Sequence, residues 1–164
     1  GAPEGCRIHL CAYHARHPLL VRAEIEKELD AVLKRHKPEA VFAWPGLRAR
    51  LDANPEEDHI FLVLATAVAE VGRDHDYDWA IVEPSSMRSI IQLAGRVKRH
   101  RRFDCPIDQP NILLLDRNVK GIKHPGNTPA FRWPGFECPE FPLKDHSLTK
   151  LLTKEQWQII DALT

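Results

Sequence analysis

Several things are missing from this 164-residue chain, and each absence removes a class of function. There is no excess of one charge: 23 Lys and Arg balance 23 Asp and Glu. Attraction of the whole chain to a polyanion is therefore excluded, and anion binding must come from local clusters. There is no C-x-x-C pair. The four cysteines, Cys6, Cys11, Cys105 and Cys138, lack the spacing of a zinc site. They read as free buried thiols in a reducing, cytoplasmic setting. No apolar run is long enough to span a membrane, no signal peptide is evident, and no internal repeat appears. The length suits one domain with a real core.

What is present reads as strand and helix in alternation. Ile8 to Tyr13 is a short apolar strand. A helix should follow with Pro18 in its first turn. Val21, Ile25, Leu29 and Val32 form its apolar stripe, the acids between them face water, and Pro38 stops it. A further short helix is placed near 46–53. Ile60-Phe-Leu-Val-Leu-Ala65, Trp79-Ala-Ile-Val82 and Ile112-Leu-Leu-Leu115 are uninterrupted apolar runs. Such runs mark strands buried on both faces of a parallel sheet. A helix over 86–100 between the last two completes strand–helix–strand, so the fold class is α/β with a covered parallel sheet.

After about residue 118 the character changes. Pro125, Pro129, Pro134, Pro139 and Pro142, with Gly121, Gly126 and Gly135, predict an irregular tail. Trp133, Phe136 and Phe141 are expected to pin it to a surface. Thr153 or a neighbour caps a short final helix bearing Trp157 and Ile160.

Two stretches carry chemistry. In QLAGRVKRHR, residues 92–101, helical spacing aligns Arg88, Gln92, Arg96 and Arg99 on one face. Met87, Ile90, Ile91, Ala94 and Val97 form the packing side. Gly95 leaves room for a partner beside Arg96. The bland alternative is a solvated basic face. ATAVAEVGRDHDYD, residues 65–78, begins where a buried strand ends, the edge at which open α/β sheets bind ligands. Thr66 offers a hydroxyl and a backbone N–H at a short helix start, Gly72 a tight turn, and Asp74 an acceptor for a ribose hydroxyl.

Taken in order, Ala65, Thr66, Gly72 and Asp74, then Gly95, Arg96 and Arg99, resemble motifs V and VI of superfamily-two helicases. Gln92 stands where that family usually has His. Glu70, the RHR ending and Tyr13-His-Ala-Arg-His-Pro-Leu-Leu-Val-Arg22 are similar to the CRISPR-associated helicase–nuclease of type I systems, the I-F branch above all. The resemblance covers about residues 8–116.

It implies a RecA-like parallel sheet with flanking helices. Residues 1–118 would be part of the second helicase lobe, and 119–164 a linker toward a C-terminal accessory domain. G-x-x-x-x-G-K-[ST] is absent, which places the phosphate loop in a first lobe outside this sequence. Arg96 and Arg99 would be arginine fingers on ATP. Gly72, Asp74 and Gln92 would touch the nucleotide. Thr66, with Arg16 and His14, would contact single-stranded DNA. ATP and Mg2+ would act in the full-length protein, a divalent metal in a nuclease domain elsewhere, and none would bind this chain alone. The partners implied are single-stranded DNA, the first lobe, the RNA-guided surveillance complex, a CRISPR integrase and phage inhibitors. The alternative is a docking module without catalysis. His75-Asp76 spells HD, but the further spaced ligands of a metal centre are not apparent, so no metal site is expected here.

Overall fold

The computed structural model describes residues 2–72, 74–101, 109–124, 126, 128–132 and 135–160. Cys105, Pro125, Trp133 and Pro134, named above, lie outside them. The chain divides into two compact units, Gly1–Asp76 and Tyr77–Thr164. Both are α/β, with small parallel sheets flanked by helices.

In the first unit, β1 (Cys6–Tyr13) pairs in parallel with β2 (Asp58–Ala65), in register from Cys6 opposite Asp58 to Tyr13 opposite Ala65. Parallel strands need a helical crossover. Here it is α1 (Leu19–Leu33), α2 (Pro38–Phe42) and α3 (Pro45–Asp52). Pro38 and Pro45 open α2 and α3, where a missing N–H costs nothing.

The inward face of α1 differs from the expected stripe. Leu29 and Leu33 are buried, Val32 only partly, and Val21 is exposed. The acids of α1 also make contacts to neighbouring segments. Glu26 accepts the Tyr13 hydroxyl at 2.8 Å, Glu28 accepts the Trp44 indole at 3.1 Å, and Asp30 bonds the His75 ring at 3.1 Å. Those acids clip three neighbouring segments onto the helix while Glu26 and Asp30 stay about half-exposed to water, so the face is solvated as expected and also bonded.

In the second unit, β3 (Ala80–Val82) pairs in parallel with β4 (Ile112–Leu114). The helix between them, α4 (Met87–Ala94), starts at Ser86, whose hydroxyl accepts the Ser89 N–H at 3.2 Å. Val82, Ile90, Phe131 and Leu148 form the core, flanked by Met87, Leu93, Ile112 and Leu114. Three short helices complete the unit: α5 (Val119–Lys123), α6 (Leu148–Leu151) and α7 (Lys154–Gln158). Thr153 caps α7 as the sequence indicated, and Gln156, not read from the sequence, answers it reciprocally.

Two-sided burial of the strands is not realised. Ile60, Phe61 and Leu64 in β2, then Ile81, Leu113 and Leu115, remain exposed. In the β3–β4 pair the inward residues Ala80, Val82, Ile112 and Leu114 alternate with outward apolar ones. The tail also departs from expectation. Phe136 and Phe141 do not pin it, being 67 % and 80 % exposed. Phe131 and Leu148 enter the core instead. Buried Glu137 ties the segment together, accepting from the Ala130, Phe131 and Leu143 amides and from His146. The thiols of Cys6, Cys11 and Cys138 are free but only partly buried.

Candidate nucleotide and nucleic-acid site

Because β1 and β2 run in parallel, their C-terminal ends lie side by side. Whatever follows each strand meets at that edge. After β1 come His14 and Arg16. The Arg16 amide donates to His14 Nδ1 at 3.0 Å, the His17 ring bonds the Ala12 carbonyl at 2.9 Å, and the His14 and His17 rings stack with centroids 4.1 Å apart. After β2 comes Thr66. The structure thus brings His14, Arg16 and Thr66 to one sheet edge.

Thr66 corrects one expectation. Its N–H is not offered outward, since it donates to the Tyr13 carbonyl at 3.2 Å and extends the parallel ladder. Only the hydroxyl of this exposed residue remains for a ligand. The helix that follows is a single 3-10 turn, Ala67–Glu70, too short to gather a substantial dipole.

Gly72 is a glycine for a different reason than the expected turn. Its φ is not in the left-handed region. A Cβ there would stand 2.2 Å from His75 Nδ1. His75 is 2 % exposed and bonded to Asp30. The HD pair is therefore turned inward, and Asp76 is fully buried. Asp74, directly before the pair, is partly buried. Among the described residues, no group of three or more His, Cys, Asp and Glu could hold a metal ion.

The second unit holds Gln92, Arg96 and Arg99. The expected helix over 86–100 is overturned: α4 ends at Ala94. Gln92 and Arg88 are exposed on its outer side, as the wheel placed them, while Ile90 is buried. Arg96 and Arg99 are not on the helix. The chain tightens through Arg96 N–H to Leu93 O at 2.8 Å and Val97 N–H to Ala94 O at 3.1 Å. Tyr77 then braces it: its N–H donates to Arg96 O at 2.8 Å, and its carbonyl accepts the Lys98 N–H at 2.8 Å. Val97 is buried at this bridge. Lys98 sits at φ 51°, a left-handed conformation that costs roughly 1–2 kcal/mol in a residue with a Cβ. Such strain persists only where the surroundings impose it.

The reversal at Lys98 returns Arg99 over the end of α4. Arg96 Nη1 and Arg99 Nη1 both donate to the Gly95 carbonyl, at 3.4 and 3.3 Å. Two guanidiniums therefore converge on one oxygen by a braced turn, where the sequence had placed them on a helix face. Arg101 is bound to Asp78 at 2.6 Å. Gly95 has ordinary φ, and a Cβ would meet only carbonyls at 3.5 and 3.6 Å. Nothing inside the described chain demands a glycine there.

Sequence reasoning missed the brace at Tyr77, the role of His75 and the Glu137–His146 pair. Only Ser86, directly before the apolar helix residues, left a readable signal, that of an N-cap.

Small parallel sheets flanked by helices are the architecture of a partial RecA-like α/β lobe. The particular family is plain from relatives. Residues 2–102 match the family model described as CRISPR-associated nuclease/helicase Cas3, C-terminal. The chain belongs to that family. It is 57 % identical over 164 residues to the CRISPR-associated nuclease/helicase Cas3 subtype I-F/YPEST of Pseudomonas aeruginosa, strain UCBPP-PA14, covering 99 % of this chain and 15 % of that protein. It is 45 % identical over 161 residues to the protein of the same name from Pectobacterium atrosepticum, covering 98 % of this chain and 14 % of the relative. The chain thus spans about a seventh of the length of these curated relatives. No helix among the described residues is long and apolar enough to cross a membrane.

Proposed function

We propose that this chain is the ATPase-completing part of the second lobe of a DNA translocase–nuclease in CRISPR interference. The convergence of Arg96 and Arg99 on the Gly95 carbonyl carries the reading. Two planar guanidiniums held at one point form a clamp for phosphate oxygens, permanently charged and able to bind bidentately. Charge grows on the γ-phosphoryl oxygens during transfer. A preorganised clamp stabilises it without reorganisation at the moment of reaction. Gly72, Asp74 and Gln92 complete the nucleotide contacts. The phosphate loop and Mg2+ belong to the first lobe, so this chain alone does not hydrolyse ATP.

The edge formed by Thr66, Arg16 and His14 offers a hydroxyl, a guanidinium and an imidazole to single-strand phosphates. Such contacts are independent of sequence and suit 3′-to-5′ movement along displaced DNA. Residues 1–118 carry this lobe fragment, and 119–164 lead toward an accessory domain. A cytoplasmic surveillance complex guided by RNA, a CRISPR integrase and phage inhibitors are the partners implied.

The test is DNA-stimulated ATPase in the full-length parent with Arg96→Ala and Arg99→Ala. Each is expected to lower turnover about a hundredfold or more with the fold retained. Unchanged turnover would leave the chain as a docking module for the surveillance complex or an inhibitor.

A further inference from the structure

The turn that leaves β1 is held at several points over a few residues. The His17 N–H donates to the His14 carbonyl at 3.1 Å and closes the turn. The Arg16 N–H donates to His14 Nδ1 at 3.0 Å, and the His17 ring bonds the Ala12 carbonyl at 2.9 Å. The His14 and His17 rings stack with centroids 4.1 Å apart and planes 18° from parallel. Pro18 then fixes the backbone at φ −52° and leads into α1, where the Arg22 N–H donates to the Pro18 carbonyl at 2.9 Å.

These contacts decide which ring atoms a ligand can meet. A backbone N–H can only donate, so His14 Nδ1 is the acceptor and the proton of that ring sits on Nε2. A carbonyl can only accept, so His17 Nε2 is the donor and its proton is committed to β1. His14 is left with an Nε2–H donor that no described residue takes. It stands at the sheet edge where the exposed Thr66 follows β2. His17 has no such donor to give. In the neutral ring its Nδ1 is an acceptor, which a phosphate oxygen cannot bond.

We propose that His17 is a positioning residue for DNA binding: tied to Ala12, it fixes the His14 ring by stacking, so that His14 Nε2–H donates to a phosphate oxygen of single-stranded DNA. This rests on the reading of His14, Arg16 and Thr66 as the DNA-contacting edge. A side chain on a partly exposed turn loses rotamer freedom when it binds a ligand. The stack removes that freedom beforehand, and the bond to the end of β1 keeps the second ring from moving with the first. Offset ring pairs favour one arrangement beyond their burial alone.

The test is DNA-stimulated ATPase of the full-length parent, with the single-stranded DNA concentration for half-maximal stimulation read separately from maximal turnover. His17→Ala is expected to raise that concentration about threefold to tenfold and to leave maximal turnover within about twofold. His17→Phe keeps a flat ring for the stack and is expected to recover to within about twofold of wild type. His14→Ala and the double variant His14→Ala with His17→Ala are expected to agree within about twofold, because His17 acts only through His14. Losses that multiply in the double variant would overturn the proposal, since His17 would then act on DNA or on the fold by itself. A His17→Phe variant that behaves like His17→Ala would overturn it too. A loss in His14→Ala with none in His17→Ala would overturn it and leave the DNA-edge reading standing. No loss in His14→Ala, Arg16→Ala or Thr66→Ala would remove that reading, and the proposal with it.

Discussion

Replacing Gly72 by alanine asks whether that glycine serves the fold, the nucleotide, or both. The added methyl would stand 2.2 Å from His75 Nδ1 and 2.3 Å from Cε1. The imidazole must move, yet it is 2 % exposed and has little room. Moving it breaks the 3.1 Å bond to Asp30 Oδ1. Overpacking a filled site costs about 1–3 kcal/mol. A bond to a charged group contributes about 1.5–3 kcal/mol when fully desolvated. Asp30 is half-exposed, so the lower end of that range applies. The expected loss is about 2.5–4.5 kcal/mol in urea unfolding, seen as a lower midpoint at constant slope. The double variant Gly72→Ala with His75→Ala separates clash from everything else. With the ring gone, the second methyl should cost less than about 0.5 kcal/mol. An equal penalty with and without His75, or no penalty at all, would refute the argument from His75. A folded double variant that still loses ATPase in the parent would assign Gly72 to the nucleotide as well.

Other perturbations follow from named contacts. Glu137→Ala leaves three amides and His146 unpaired in the interior, and should cost about 3–5 kcal/mol in thermal or denaturant unfolding. Acid should weaken the same region. Burial alone would raise the Glu137 carboxyl, but donors from Phe131, His146, Leu143 and Ala130 outweigh it and hold it below its ordinary value of 4.5. Asp145, bonded by Lys150 and Ser147, is lowered to about 2. The folded form binds fewer protons than the unfolded one, so the stabilisation is complete above about pH 4.5 and is lost as pH falls toward 2. An acid titration followed by tryptophan fluorescence would show it. Tyr13→Phe removes the bond to Glu26 and should cost about 1 kcal/mol. In the wild type that phenol, raised to about 12 by burial and by Glu26, should not ionise at pH 10 in ultraviolet titration. Ser86→Ala removes the cap of α4, with an expected loss of about 1 kcal/mol by the same denaturation assay.

The strands and helices were legible where period and punctuation agree. Ile60 to Ala65 and Ile112 to Leu114 are strands because long apolar runs seek a sheet, and Pro45 opens α3 because its ring suits a first turn. The α4 boundary had one local signal, Gly95, which caps the helix directly after Ala94. A helical wheel drawn through Arg99 overrides that signal, since Val97 and Arg96 fall at acceptable positions. What no local pattern shows is the turn beyond the cap, which Tyr77 fixes by taking the Lys98 N–H and donating to Arg96 O. Likewise the acids of α1 are legible as a solvated face, while the reach of Tyr13, Trp44 and His75 to them is not.

Residue types and their order were enough to establish the α/β class, the family likeness and the chemical inventory of hydroxyl, glycine and arginines. Those properties reside in local period and in short motifs, which the chain carries wherever it folds. Tertiary structure alone decided how the inventory is held. Thr66 spends its N–H on the ladder, Gly72 makes way for His75, and the arginines converge through a strained turn. Each of those outcomes depends on a partner distant in sequence. Hydrogen-bond satisfaction between distant segments has no local period from which it could be read.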